Sequence, residues 1–447
     1  MSVLQLAPPV LDRSAIVEWY LRTRARSRRL FDLLEPDAYY ERPIALRHPI
    51  VFYEGHLTAF SFNTLVKKAL GRPGIDARLE RLFARGIDPD DTEAAAQSGP
   101  AGWPSRDEVC EFVARADALV LEALSTDRLD RPGDPLLDGG QAVYAIIEHE
   151  AMHQETLLYM WHRLPTGRKR APADGRAATA AVSRPPSPEL VAIPAGRARL
   201  GARRGEIAFG WDNEFEAVEA DVAAFDIDRF NVTNGQFRDF VDAGGYRDPR
   251  WWTPEAFQWL REFGAEAPSF WARRDDAWTS LGMFGEHPLH DAWPVYVSQA
   301  EAAAYARWKG RRLPSEAEFQ RAAYGTPSGD QRRHPWGDEP PDVSRGNFDF
   351  LSWDPEPVGS HPAGRSAWGV DDLVGNGWEW TSTVFAPFPG FRPLASYPEY
   401  SADFFDGQHY VMKGASPATA RELLRPTFRN WFRPHYPYVY ATFRTVG

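Results

Sequence analysis

The stretch from Pro165 to Pro188, PTGRKRAPADGRAATAAVSRPPSP, holds almost no large apolar residue. Such a segment buries too little surface to fold, so it divides the chain. Before it, apolar residues recur at helical spacing. After it, short apolar runs are broken by Gly, Pro, Asp and Asn, as in LVAIPAGRARLGA and FDIDRFNVTNGQF. The expected class is therefore multidomain α and α+β. A helical region spans 1–164, a linker 165–188 and a loop-rich α+β domain 189–447. Two or three domains is also the usual outcome for 447 residues.

Four helices are expected in the first region. Asp12 or Ser14 caps AIVEWYLRTRARSRRLFDLL. A second helix surrounds FYEGHLTAFSFNTLVKKAL, a third starts near Ser105-Arg106-Asp107, and a fourth follows Gly139-Gly140. Four long amphipathic helices suggest an up-and-down bundle, with 70–104 as a surface excursion. Cys110 lies in the third helical pattern and reads as a core residue. In the second region helices are expected at Asn234–Ala243, at Ser298–Lys309 and from Ser315. The last two carry Ser-x-x-Glu capping boxes through Glu301 and Glu318.

Several classes are excluded. One cysteine permits no intrachain disulfide and no zinc site built from several cysteines. No apolar run reaches membrane-spanning length, and the N-terminus lacks a basic segment followed by an apolar one. A cytoplasmic protein is expected. The formal charge of −11 disfavours non-specific nucleic-acid binding.

The fourth helix contains IIEHEAMHQETLLYM, with His149 and His153 four residues apart. Residues i and i+4 lie about 40° apart around a helix, so the two imidazoles share a face. Ile146, Leu157, Met160 and Leu164 fall near that face. Buried imidazoles need partners, and spacing alone leaves two readings: hydrogen-bonded core histidines, or ligands of a shared metal. Glu155 points away from His153, and Glu150 is about 100° from His149. A third ligand should come from another helix, where His56 sits among Phe52, Ala59 and Phe60. Three imidazoles suit Fe(II), Zn(II) or Cu(II).

These residues carry a resemblance. Gly55-His56 to Phe60 forms GHxxxF, and His149, His153 and Glu155 form HxxxHxE. Together they resemble the DinB-like four-helix bundle of the ergothioneine-type sulfoxide synthases. VAIPAG, NVTNGQFRDFV, WPVYVSQAEAAAYARWKGRRLPSEAEFQRAA, HPWGD, GNFD, GNGWEWTST and FRNWF look like the formylglycine-generating-enzyme fold, a C-type-lectin-like α+β domain. Formylglycine-generating enzymes rely on cysteines in that domain; this chain has none there. The synthase resemblance implies a non-haem Fe(II) held by His56, His149 and His153. It also implies O2-dependent joining of a sulfur or selenium donor to the imidazole of hercynine (Nα-trimethylhistidine), with the site where bundle and second domain meet. Asn430 and Trp431 are implied to hold the substrate's carboxylate and trimethylammonium ends. Trp378, Glu379 and Trp380 read as structural.

Three departures bear on the donor. Members using γ-glutamylcysteine carry an acidic residue after the Asn-Trp pair; here it is Phe432. Met152 stands where Gln often precedes the second histidine. FPGF, Phe388 to Phe391, lacks a tyrosine, so Tyr397 and Tyr400 are the candidates for the catalytic phenol. The selenoneine branch, which joins a selenosugar to hercynine, suits a chain lacking the γ-glutamylcysteine signature. RHPIVFYEGH also resembles the ovothiol-pathway synthases, which use histidine and cysteine. Outside the resemblance, a zinc-dependent thiol transferase or hydrolase and a non-catalytic binding module are the remaining readings.

Overall fold

The computed structural model describes residues 11–84, 86, 102–172 and 185–447. Part of the expected 70–104 excursion and residues 173–184 of the expected linker lie outside them. The chain forms two compact units.

The first unit is helical. Helix α1 spans Arg13–Asp32, and the Asp12 carboxylate caps it by accepting from the amides of Ser14 and Ala15. α2 spans Ile50–Ser61 and continues as a π-helix over Phe62–Ala69, which the sequence pattern does not announce. α3 is a short helix, Ala77–Phe83. α4, Arg106–Thr126, opens on a Ser105/Glu108 capping box. α5, Gln141–His162, starts after Gly139 and Gly140, both at positive φ. α1 packs on α4 and α5, and α2 packs on the same two helices. The core between them is built from residues such as Tyr20, Phe62, Val120, Ile146 and Ile147.

Cys110 is exposed, against the expectation of a core residue. Val109, Phe112, Ala116 and Val120 take the buried face of α4, and Cys110 is about 100° out of phase with Val109. The start of the expected linker is tied down: Arg170 forms a two-pronged pair with Glu35, at 2.6 Å on each arm. Two short segments from later in the sequence, Gly205–Phe209 and Leu394–Pro398, belong to this helical unit.

The second unit holds short strands and five α-helices, the last a single turn, among the described residues. Strands β1 (Leu190–Ile193) and β4 (Phe225–Asp228) pair, as do β2 (Gly196–Leu200) and β3 (Val218–Val222). α6 (Asn234–Asp242), α8 (Gln299–Trp308) and α9 (Glu316–Tyr324) lie where expected, with all three capping boxes formed. α7 (Pro254–Phe263) was not expected; Thr253 caps it and Pro254 occupies its first turn. Three strands, β5 (Trp271–Arg274), β6 (Ala277–Leu281) and β7 (Glu286–Pro288), make an antiparallel sheet. The main sheet runs β10-β9-β8-β11. Its members are β8 (Gly377–Val384), β9 (Tyr410–Ala415), β10 (Asn430–Phe432) and β11 (Ala441–Thr442). α10 is one turn, Glu399–Ala402. The structural reading of GNGWEWT fits: Trp378 and Trp380 are buried, and Glu379 is fully buried against Arg444 at 2.7 Å.

Candidate metal centre

α2 and α5 present three imidazoles to one another. His56 is 5% exposed, His149 2% and His153 7%. His153 Nε2 lies 3.1 Å from His149 Nε2 and 3.3 Å from His56 Nε2. Among the described residues this is the one group of three His, Cys, Asp or Glu side chains close enough to share an ion.

Without a cation the ring nitrogens of this cluster pair poorly. His56 Nδ1 lies 2.7 Å from the carbonyl of Phe83 and donates to it, so His56 Nε2 bears a lone pair. His153 Nε2 then either donates to His56 or accepts from His149. It cannot do both, because a neutral ring nitrogen is a donor or an acceptor. If it accepts, two lone pairs meet at the His56 contact; if it donates, its single N–H must serve two acceptors at once or meet the proton of His149. A metal ion relieves both. Two nitrogens bound about 2.1 Å from one ion at 90–110° are about 3.0–3.4 Å apart, which these spacings match.

Burial favours the neutral rings that coordination needs. Desolvation drives the His56 pKa down to about 4, against the partly compensating Phe83 carbonyl. It holds His149 and His153 well below the usual range too, with neighbouring histidines pushing the same way.

The local sequence explains the placement. Phe83 lies so close to α2 that a Cβ on Gly55 would sit 2.4 Å from its ring. Glycine before His56 thus lets the Phe83 carbonyl reach the imidazole. Phe52 stacks on His56 with centroids 4.8 Å apart. Phe60 lies flat on His149, at 3.5 Å and 9°. Glu150 is turned to α1, where Arg24 and Ser27 hold it at 2.8 and 2.5 Å. Glu155 is buried but outside the cluster, and Met152 is half-buried.

The two candidate tyrosines part company. Tyr397 belongs to the helical unit, and its ring meets Phe60 at 5.3 Å and His149 at 6.1 Å, edge-on in both cases. Lys68, at the end of the π-helix, donates to the carbonyls of Ala395 and Ser396 at 3.0 and 3.2 Å and so anchors the turn bearing Tyr397. Tyr400 belongs to the second unit and stacks on Trp211 at 4.0 Å.

In the second unit Trp431 lies flat on Phe385, at 4.2 Å and 6°, with Tyr400 edge-on at 5.3 Å and Phe404 at 5.6 Å. The Arg429 guanidinium covers Phe385 and Phe388 at 4.9 and 4.2 Å and pairs with Glu316 at 2.9 Å. The Asn430 side-chain oxygen accepts from the Trp431 amide at 2.9 Å. Phe432 stacks on Tyr436 at 5.0 Å. Sequence reasoning missed Phe385, Phe404, Lys68 and the Phe83 carbonyl. Only the aromatic density around 385–405 hinted at the first two.

Comparison with known proteins agrees with both halves of this architecture. Residues 20–157 match the DinB superfamily, and residues 176–447 match the sulfatase-modifying factor enzyme 1-like domain. The hercynine oxygenase of Mycolicibacterium thermoresistibile is 34% identical over 97% of this chain and 95% of its own length. That of Mycolicibacterium smegmatis is 39% identical over 72% of this chain and 74% of its own. Ergothioneine biosynthesis protein 1 of Neurospora crassa is 28% identical over 99% of this chain and 59% of its own. No described helix is long and apolar enough to cross a membrane. A helical DinB-like unit joined to a formylglycine-generating-enzyme-like α+β unit, related over its full length to such proteins, makes this chain a member of the ergothioneine-type hercynine oxygenase family.

Proposed function

We propose that the chain is an Fe(II)- and O2-dependent enzyme that joins a selenium or sulfur donor to the imidazole ring of hercynine, with a selenosugar as the favoured donor. The observation that carries the reading is the convergence of the three Nε2 atoms of His56, His149 and His153. These three would hold the iron on one side and leave its other positions to reactants. Bound there, iron supplies the redox chemistry with O2 that no side chain can.

The remaining parts are the chain's own. Phe52, Phe60 and Tyr53 wall the histidines with rings and keep water from them. The Tyr397 phenol, carried next to His149, would lend a proton as O2 is reduced and regain one from the donor's Se–H or S–H. Tyr400, stacked on Trp211 and edge-on to Trp431, shapes the substrate pocket instead. The aromatic set around Trp431 suits a quaternary ammonium, which aromatic faces attract without a hydrogen bond. Because the Asn430 oxygen is engaged by backbone, its amide nitrogen is the group left to donate to a carboxylate. Phe432 supplies no charge for a donor's ammonium, which favours a selenosugar over an amino-acid thiol. Met152 leaves the imidazole of the substrate without the amide partner that Gln would give.

The test is anaerobic loading with Fe(II), then hercynine and air, with a selenosugar, cysteine or γ-glutamylcysteine in parallel, read by mass spectrometry. A selenium adduct of hercynine is expected. A sulfur adduct alone would move the donor assignment. Reaction of histidine with cysteine, and none of hercynine, would favour the ovothiol-type reaction. No adduct in any mixture would overturn the proposal, and full zinc occupancy with O2-independent turnover would favour a zinc transferase or hydrolase.

A further inference from the structure

We propose that Phe60 is a positioning residue for the His149 ring, doing by stacking what a hydrogen bond does for His56. The proposal rests on the metal reading of the three histidines. A histidine ligand is ordinarily oriented through its second nitrogen, which donates to a carbonyl or carboxylate. His56 follows that rule through Phe83. His149 does not: its Nδ1 is buried and has no hydrogen-bond partner among the described residues.

What His149 has is a plate. The Phe60 ring lies against it with centroids 3.5 Å apart and planes 9° from parallel. Nε2 lies off the Cβ–Cγ axis, so rotation of the ring swings the ligand atom out of place. Two flat rings in contact block that rotation. The helix supplies the geometry. His56 and Phe60 are four residues apart on α2, hence on one face. That face delivers one ligand nitrogen and, one turn on, the surface against which α5 lays the second imidazole. Tyr397 then closes on both rings by its edge, at 5.3 Å to Phe60 and 6.1 Å to His149. A ligand set must be held within about 0.5 Å and 10–20° to work, and stacking restrains the angle that no hydrogen bond restrains here.

Phe60 is half-buried, unlike its deep neighbours Leu57 and Ala59, so changing it should leave the fold in place. The experiment uses the full chain stripped with chelator, titrated anaerobically with Co(II), and read by ligand-field absorption. The variants are Phe60→Leu, Phe60→Met, Phe60→Tyr and His149→Ala, each checked by far-UV circular dichroism. The wild type should take up one cobalt. Phe60→Leu and Phe60→Met, which keep bulk but lose the flat ring, should bind about 10–100-fold more weakly and with a shifted spectrum. Phe60→Tyr should restore both affinity and spectrum. Wild-type affinity and spectrum in Phe60→Leu and Phe60→Met would overturn the role of Phe60 while leaving the metal centre standing. Weakening that Phe60→Tyr fails to rescue would also overturn it, since ring stacking would then not be the cause. A wild type that takes up no cobalt, or a His149→Ala chain that binds as the wild type does, would overturn the metal reading itself and this role with it.

Discussion

Gly55→Ala is expected to destabilise the helical unit by about 3 kcal/mol, although propensity alone predicts the opposite sign. Gly55 lies inside α2, where alanine is worth about 1 kcal/mol more than glycine. The new methyl would meet three atoms of the Phe83 ring at 2.4–2.5 Å, far inside carbon–carbon contact. Phe83 is fully buried, with Phe52 and Phe112 rings 6.3 and 5.8 Å away, so its ring has little room to retreat. Overpacking of this kind costs about 1–3 kcal/mol. Relief of the clash also draws α3 away, which carries the Phe83 carbonyl from His56 Nδ1 and strands a buried N–H, adding about 1–3 kcal/mol. The sum of these terms is a net loss centred on about 3 kcal/mol. The assay is urea unfolding followed by far-UV circular dichroism, since most helix is in this unit, with Phe83→Leu and the double variant completing a cycle. The double variant should recover at least 1 kcal/mol relative to additivity. A Gly55→Ala chain as stable as the wild type, or more stable, would refute the argument that Phe83 dictates glycine here.

Other outcomes follow from the same contacts. Lys68→Met, at an exposed position, should lower kcat and leave the KM for hercynine unchanged, with Lys68→Arg recovering most of the loss; equal loss in both would point away from anchoring of the Tyr397 turn. Trp431→Leu should raise the hercynine KM about 30-fold at unchanged metal content, the equivalent of about 2 kcal/mol of cation–π attraction. Glu214 is buried, which would raise its pKa, but the charge and hydrogen bonds of Arg425, with Thr427 and the Trp211 amide, hold it below the ordinary carboxylate value. Its contribution to the second unit is therefore present at neutral pH and lost as pH falls from the unfolded-state value through the lower folded one. Thermal unfolding of Glu214→Gln should be correspondingly less acid-sensitive than the wild type over that range.

What the sequence disclosed follows from which interactions leave a local mark. Caps do: Asp12, Ser105, Ser298 and Ser315 each bind amides two or three residues on, and each helix start was readable from that spacing. The shared face of His149 and His153, and the turning of Glu150 away from them, also follow from one helix's own periodicity. The π-helix at Phe62–Ala69 has no comparable signature, because its wider turn depends on what packs around it; the reach of Lys68 to residues 395 and 396 was hidden with it. Tyr397 and Tyr400 looked equivalent three residues apart, yet the chain passes from one unit to the other between Pro398 and Glu399. The partner of His56 was the least legible feature. It is a backbone carbonyl 27 residues away, and every residue has a carbonyl, so the identity of Phe83 says nothing about that role. Its trace is indirect and lies in another residue: Gly55, whose missing side chain makes room for the Phe83 ring and so lets that residue's backbone come close to His56. The GH pair in GHxxxF is thus a histidine preceded by the room its hydrogen-bonding partner needs, which is a physical reason for glycine at that position in this chain.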